Sequence, residues 1–309
     1  MNREFLLRAY EAGQRDFAGV NLQGVNLQGV TLIGVDFTGA NLTGADLSRS
    51  FLTRSNLSEA FLNWANLRYT KLSDGRLEDA DLTKSDLSGA FLVKSDLLRA
   101  KLSGANLTHA NLRGSVLQRA NLCGTNLSGS NLRNADLTRA NLNWANLSEA
   151  RLSGAKLAGA FLTDVNLKGA YLNGLDLRGI DLAGVNLSQA KLSGTNLEGA
   201  NLSSTNLSEA QLKGVKLMRA DLSGADLTSA YLDQANLDWS NLSQANFTAA
   251  DLHEAKLLGV KIEGTVFTSA LLPELTRQYL SMVASGDQLF GSGHVHPGQV
   301  HPSRVHPMR

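Results

Sequence analysis

Six histidines and a single cysteine are the residues of this chain best suited to acid–base, metal or thiolate chemistry, and their distribution argues for none of these. Four of the imidazoles, His294, His296, His301 and His306, crowd into thirteen residues near the C-terminus, where Val-His-Pro recurs at 295–297, 300–302 and 305–307. Neutral imidazoles suit Zn, Ni or Cu. Proline stiffens this stretch, however, and no second ligand cluster lies nearby, so the expectation for residues 285–309 is a disordered His/Pro tail without a defined metal site. Cys123 has no partner for a disulfide within the chain, which fits a reducing compartment. Ser, Asp and Asn are plentiful, but they recur by rule, so a Ser, His and Asp combination carries no weight. No glycine-rich phosphate loop is present, because the glycines follow the same rule. Neither catalytic residues nor a cofactor are expected, and the chain is read as a non-enzyme.

That rule is the dominant fact about the elements that must position any functional group. From Arg15 to Ser269 the chain runs as 51 uninterrupted pentads, with Leu, Phe or Ile at every position 17, 22, 27 and onward to 267. In an α-helix a period of five would wind these residues around every face. In a straight strand it would send successive ones to opposite faces. Only a chain that turns a corner every five residues aims them all at one axis, and that is a solenoid. Two residues before each centre stands Ala, Val, Ser or Thr almost everywhere, sizes that fit a narrow corner; Gly75, Leu175 and Ile180 depart from this, so their coils are expected to be loose or bulged. Two residues after the centre, glycine is common, as a tight corner with unusual φ requires.

A slower modulation gives the number of sides. The residue before each centre is Asn or Asp at 29 of the 39 positions outside the series 31, 51, 71 to 251, and at 3 of the 12 within it. Every fourth pentad differs, so a coil has four unequal sides. The series Asn26, Asp46, Asn66 to Asn246 is Asn or Asp at all twelve positions, which predicts a stacked amide and carboxylate ladder. At roughly 4.8 Å per coil the 51 pentads make a rod about 60 Å long. His109 and His253 then fall on different sides about seven coils apart, roughly 34 Å, too far to share a site.

Units such as Ala-Asn-Leu-Thr-Gly (40–44), Ala-Asp-Leu-Ser-Gly (220–224) and Ala-Asn-Leu-Ser-Glu (145–149) resemble the pentapeptide-repeat family, over 255 of 309 residues. The stretch from Arg8 to Phe17 is similar to the lead-in of many cyanobacterial members. The resemblance implies an all-β solenoid, a right-handed quadrilateral parallel β-helix with the central residue and the one two before it inside. It also implies that some members mimic DNA and occupy the DNA saddle of a type II topoisomerase.

Both rod ends need covering. Residues 1–14, with Phe5, Leu6, Leu7 and Tyr10 before Gly13, suit an N-terminal capping helix; residues 270–284, with Pro273 at the start and Leu275, Tyr279, Leu280 and Val283 as a stripe, suit a C-terminal one. The longest apolar run near the N-terminus is three residues, short of a signal-peptide core or a membrane span, so a cytoplasmic protein away from membranes is expected.

Recognition is expected on the side formed by the differing series. Its pentads centred on Leu92 to Leu212 carry Phe91, Lys94, Arg113, Arg133, Arg151, Tyr171, Lys191 and Lys213, and none of the seven holds an acidic residue. A basic run with interleaved aromatics suits phosphates or acidic partners. A neighbouring side offers Phe61, Trp64, Trp144 and Phe161. The preferred reading is a protein-binding scaffold or regulatory interaction protein with an unidentified protein partner, a homodimer through a terminal cap being an alternative. DNA mimicry needs a strongly acidic surface, yet residues 1–270 hold 26 basic and 26 acidic groups. Nucleic-acid binding through the basic stripe is the third reading, and neither is preferred.

Overall fold

The computed structural model describes residues 1–284; the His/Pro tail expected over 285–309 lies outside them. Parallel bridges join residues twenty apart, from Asp16 with Asp36 to Asp251 with Leu271 and with one interruption, so each coil is four pentads. We number the sides by their centres: Phe17 to Leu257 on the first, Leu22 to Ile262 on the second, Leu27 to Phe267 on the third and Leu32 to Leu252 on the fourth.

One pentad explains the rest. In Ala40 to Gly44, the Asn41 N–H donates to Val20 O in the coil before at 2.9 Å, while Leu42 and Gly44 donate to Phe61 O and Asn63 O in the coil after, at 2.8 and 2.9 Å. Ala45 N closes the turn on Leu42 O at 3.0 Å, and Thr43 N donates to the Asn41 side-chain Oδ1 at 3.1 Å. All five backbone donors of a pentad are thereby used. The turn needs positive φ at its third residue, the type II signature, and all 51 pentads have it there, through 23 glycines and 28 other residues.

Asn and Asp before the centre are thus selected locally. All twelve members of the third-side series accept from the N–H two residues on. The expected ladder is discontinuous: within that series the amide reaches the next side chain only at Asp86–Asn106, Asn126–Asn146 and Asn146–Asn166. Turn capping, an interaction within one pentad, accounts for the residue type better than stacking does.

Inside, the central residues from Phe17 to Phe267 are all buried. Buried corner hydroxyls find backbone carbonyls, as Thr70 Oγ1 does at Leu47 O, 2.8 Å, and Ser95 Oγ at Leu72 O, 2.7 Å; Ser130 Oγ is buried without a partner. Phenylalanine takes over the core near each end, where Phe17 and Phe37 lie 6.0 Å apart and Phe247 stacks on Phe267 at 5.1 Å.

The ends are capped by α1 (Arg3–Glu11) and α2 (Glu274–Val283). Asn2 Oδ1 caps α1 by accepting from Phe5 N, Leu6 is fully buried, and Tyr10 donates its hydroxyl to Ile33 O at 3.1 Å. Phe5, expected inside, is exposed. At α2 only Leu280 is fully buried, and the Tyr279 hydroxyl accepts from Gly259 N at 3.1 Å. Leu275 and Val283 of the expected stripe are exposed, while Tyr279 and Ala284 lie partly buried against the core. No helix of the described residues is long and apolar enough to cross a membrane.

The ladder fails in one place. On the first and second sides the bridges Lys156–Asp176 and Phe161–Asp181 are missing, and the N–H groups of Leu157, Gly159, Leu162, Asp164, Asp176 and Asp181 have no backbone partner. On the third and fourth sides the same coils stay joined, Leu167 N to Asn186 O and Leu152 N to Tyr171 O, at 2.8 and 2.9 Å. The cause sits at the corners: Leu175 and Ile180 stand where Ala or Ser normally fits, above Ala155 and Ala160, and hold the coils apart. Gly75 behaves otherwise. Arg76 N to Ser55 O and Asp96 N to Gly75 O both measure 2.9 Å, so its coil is closed. A missing side chain pushes nothing; an oversized one does.

Candidate functional site

The fourth side is built differently from the others. Where Asn or Asp elsewhere spends its side chain on the turn, this side has Phe51, Lys71, Phe91, Arg151, Tyr171, Lys191, Gln211 and Tyr231 in one column. The N–H groups those caps would have engaged, among them Thr53, Ser73, Val93, Ser153, Asn173 and Lys213, have no partner among the described residues. Long side chains and free donors therefore share one face.

Between this column and the corner of the third side runs an open groove of about 670 Å³, lined by His109, Glu149, Arg151, Tyr171, Lys191, Glu209 and Tyr231 among others. Six consecutive coils supply its column, from Asn131 to Tyr231, a length of roughly 24 Å at strand spacing. Of the eight residues singled out from the sequence, the groove gathers Arg151, Tyr171 and Lys191. Phe91 lies farther along the same column under the Lys71 ammonium, 3.0 Å from the ring centroid, and burial lowers the Lys71 pKa. Arg113, Arg133 and Lys213 sit two residues further along their pentads, and Lys94 at the far corner, beside Gly114.

The stripe is less basic than its own pentads suggest. Glu149 and Glu209 line the groove from the third side, and Lys213 Nζ is paired with Asp233 Oδ2 at 2.7 Å, which raises the Lys213 pKa through that hydrogen bond. Gln189 Nε2 donates to Glu209 Oε2 at 3.0 Å, and Lys191 Nζ to Gln189 O at 3.1 Å. Arg113, Arg133 and Arg151 make no ion pair among the described residues; the Arg151 guanidinium stands 5.9 Å from the Tyr171 ring centroid. The groove thus offers cations, carboxylates and two tyrosines in a fixed order. Sequence reasoning missed the glutamates because it took each side alone. Glu149 and Arg151 flank the inward Ala150, so the residue ending one pentad and the second residue of the next share a corner.

The aromatics of the second side are exposed as expected, at Phe61, Trp64, Trp144 and Phe161, and Trp239 of the first side is exposed as well. Trp144 Nε1 donates to Asp164 Oδ2 at 3.0 Å, and Lys84 Nζ lies 6.0 Å from the Trp64 ring.

The family model for pentapeptide repeats matches in eight copies that tile residues 16–268. The chain belongs to the pentapeptide-repeat family. Among solved structures this pentapeptide-repeat chain is similar to HetL, involved in heterocyst differentiation regulation in the cyanobacterium Nostoc sp. strain PCC 7120, at 30% identity over 89% of this chain and 98% of that one, with a TM-score of 0.33. It is similar to alr5209, a pentapeptide repeat protein of the same Nostoc strain, at 36% identity over 37% of this chain and 80% of that one, TM-score 0.18. Against QnrB1, a plasmid-mediated fluoroquinolone resistance protein, identity is 20% over 67% of this chain and 92% of that one, TM-score 0.32. No curated protein matches.

Proposed function

We propose that this pentapeptide-repeat protein is a non-enzymatic scaffold or regulatory interaction protein, a right-handed four-sided rod whose fourth side docks another protein. One observation carries the reading: on that side nine of twelve pentads forgo the turn-capping Asn or Asp that the other sides use. Each forgone hydrogen bond costs about 0.5–1.5 kcal/mol. Face composition that works against local stability is expected where a surface is kept for contact. The partner segment this face suits is acid-bearing, to meet Arg113, Arg133 and Arg151 and the free N–H groups, and carries a cation for Glu149. Because the coils hold the column rigidly, docking avoids the ordering cost of a mobile loop. Alternating charge in the groove and balanced net charge weigh against both a nucleic-acid ligand and DNA mimicry. Cytoplasmic residence belongs to the same reading.

The test compares the parent with an Arg133→Glu, Arg151→Glu, Lys191→Glu triple variant in affinity capture from native extract, after equal thermal stability is established. Exposed changes of this kind alter stability by less than about 0.5 kcal/mol each. The expected result is loss of the partner and a changed salt dependence. Full retention in low and high salt would show the fourth side to be plain solvated surface.

A further inference from the structure

The opening between the coils of Ala155 to Val165 and Leu175 to Val185 is a second candidate site, independent of the groove. Its volume is about 460 Å³, with Leu157, Ala160, Asp176 and Ile180 among its walls. That is the size of a small-ligand or short-peptide site rather than of one missing side chain. Ala155, Ala160 and Ile180 are half-buried, whereas every other corner residue from Val30 to Ala270 is buried, so solvent reaches the inner wall here alone. Behind the lips a slot lined by leucines and Ile180 leads to the rod axis.

What the lips present is backbone. The upper and lower strands face each other with unpaired N–H groups at Leu157, Gly159, Leu162, Asp164, Asp176 and Asp181, and with the carbonyls that elsewhere receive such donors. Much of the charge is paired locally: Arg178 holds Asp176 by two hydrogen bonds, 2.9 and 2.7 Å, and Lys156 reaches Asp136 at 3.4 Å, while Asp181 Oδ1 accepts from Asn201 Nδ2 at 2.9 Å and keeps its charge. On the second side the exposed rings of Phe161 and Trp144 stand beside the entrance.

We propose that this cleft binds an uncharged, extended segment of a partner polypeptide, which enters as an added strand between the two coils. Unpaired donors and acceptors on facing edges are satisfied by an extended backbone and by few other ligands. With Asp176 and Lys156 already paired, charge is not the main recognition; the slot accepts a small apolar side chain, and Phe161 covers the entering strand. The opening spans two adjacent sides, so the segment follows one corner and is about two pentads long. Leu175 and Ile180 keep the lips apart in its absence.

The probe is a blocked, fluorescein-labelled decapeptide, Ala-Asn-Leu-Ser-Gly repeated twice, added to the full chain, with binding read by anisotropy and location by amide hydrogen exchange. Saturable binding is expected together with about tenfold or greater slowing of exchange at Leu157, Gly159, Leu162, Asp176 and Asp181, while Leu197 and Leu202 amides are unchanged. A Leu175→Ala, Ile180→Ala variant lets the lips close; its amides at these positions are protected without peptide, and binding falls at least about tenfold. Phe161→Ala, a surface change that keeps the fold, weakens binding several-fold and serves if the double variant does not fold. No protection at these amides with about 1 mM peptide, or undiminished binding by the Phe161 variant and the double variant, overturns the proposal.

Discussion

Truncating the same side chain at two points of the core should have different costs, and the difference measures the cleft. Leu222 is fully buried, stacked between Leu202 and Leu242, in coils tied by Leu222 N to Asn241 O at 2.8 Å and Leu202 N to Asp221 O at 2.7 Å. Neither coil can move inward without breaking those ties. Leu222→Ala therefore leaves its cavity largely uncollapsed, and the cost should reach about 3–5 kcal/mol, transfer and cavity together. Leu157 is 8% exposed and lines both the cleft and the slot behind it. Its coil has no rungs to the next on that side, so water fills the space and the cavity part drops out. What remains is transfer of about three methylenes at ~0.8 kcal/mol each, roughly 2 kcal/mol. A rod of stacked coils does not unfold as one unit, so a single melting midpoint would mix the two regions. Native-state hydrogen exchange at the neighbouring amides, Leu202 and Asn241 for one variant and Lys156 and Ala160 for the other, reads each cost locally. Equal losses at the two sites, or a larger one at Leu157, would mean that the lips are packed shut and that Leu175 and Ile180 do not hold them apart.

Gln211→Asn on the fourth side should supply the missing turn cap to Lys213 N–H and raise local stability by about 0.5–1.5 kcal/mol, while Asn206→Ala should remove the cap on Ser208 N–H and lower it by a similar amount, both read by native-state hydrogen exchange at the neighbouring amides. Ala249 has φ 57°, so Ala249→Gly should stabilise by about 1 kcal/mol; Gly89→Ala should destabilise by more than Gly24→Ala, since the Tyr69 ring occupies the space a Cβ would need at Gly89 and nothing lies near Gly24. Burial by itself would raise the pKa of Asp136, but hydrogen bonds from Thr138, Gln118 and Lys156 outweigh it and hold the pKa at about 2. Its contribution, up to about 2 kcal/mol, is present above the unfolded carboxylate value near 4 and lost as pH falls from there through about 2; a pH titration of stability should show this acid loss in the parent and a shallower one in Asp136→Asn.

Much of the rod was legible because the repeat is a local code. The period of five specified one corner per pentad, the twenty-residue modulation specified four sides, and Leu175 and Ile180 announced the opening by their size alone. Gly75 raised the same alarm without effect, since sequence shows a departure from the rule but not whether it pushes or merely leaves room. The candidate site was half visible. Tyr171 and Lys191 stand out along their own column, whereas Glu149 and Glu209 belong to another pentad series and meet them only at the corner. The α2 stripe misled because apolar spacing gives the face of a helix, not how much of that face its neighbour can reach.

Full use of backbone N–H groups within a pentad has a consequence for how the chain is made. Proline, lacking that donor and fixed at negative φ, costs a hydrogen bond or breaks the turn at most positions of the coil, and the first of the four prolines is Pro273, beyond the last pentad. No imide bond interrupts 255 residues, so the delay of tens of seconds set by prolyl isomerisation is absent from rod assembly. The first coil meets its plug early, since the Met1 amino group reaches Asn21 O and the Tyr10 hydroxyl reaches Ile33 O. At a synthesis rate of about 5–20 residues per second, a new twenty-residue coil emerges every one to four seconds, roughly. Each finds a finished edge waiting, and the rod can be laid down from its N-terminal end in step with translation.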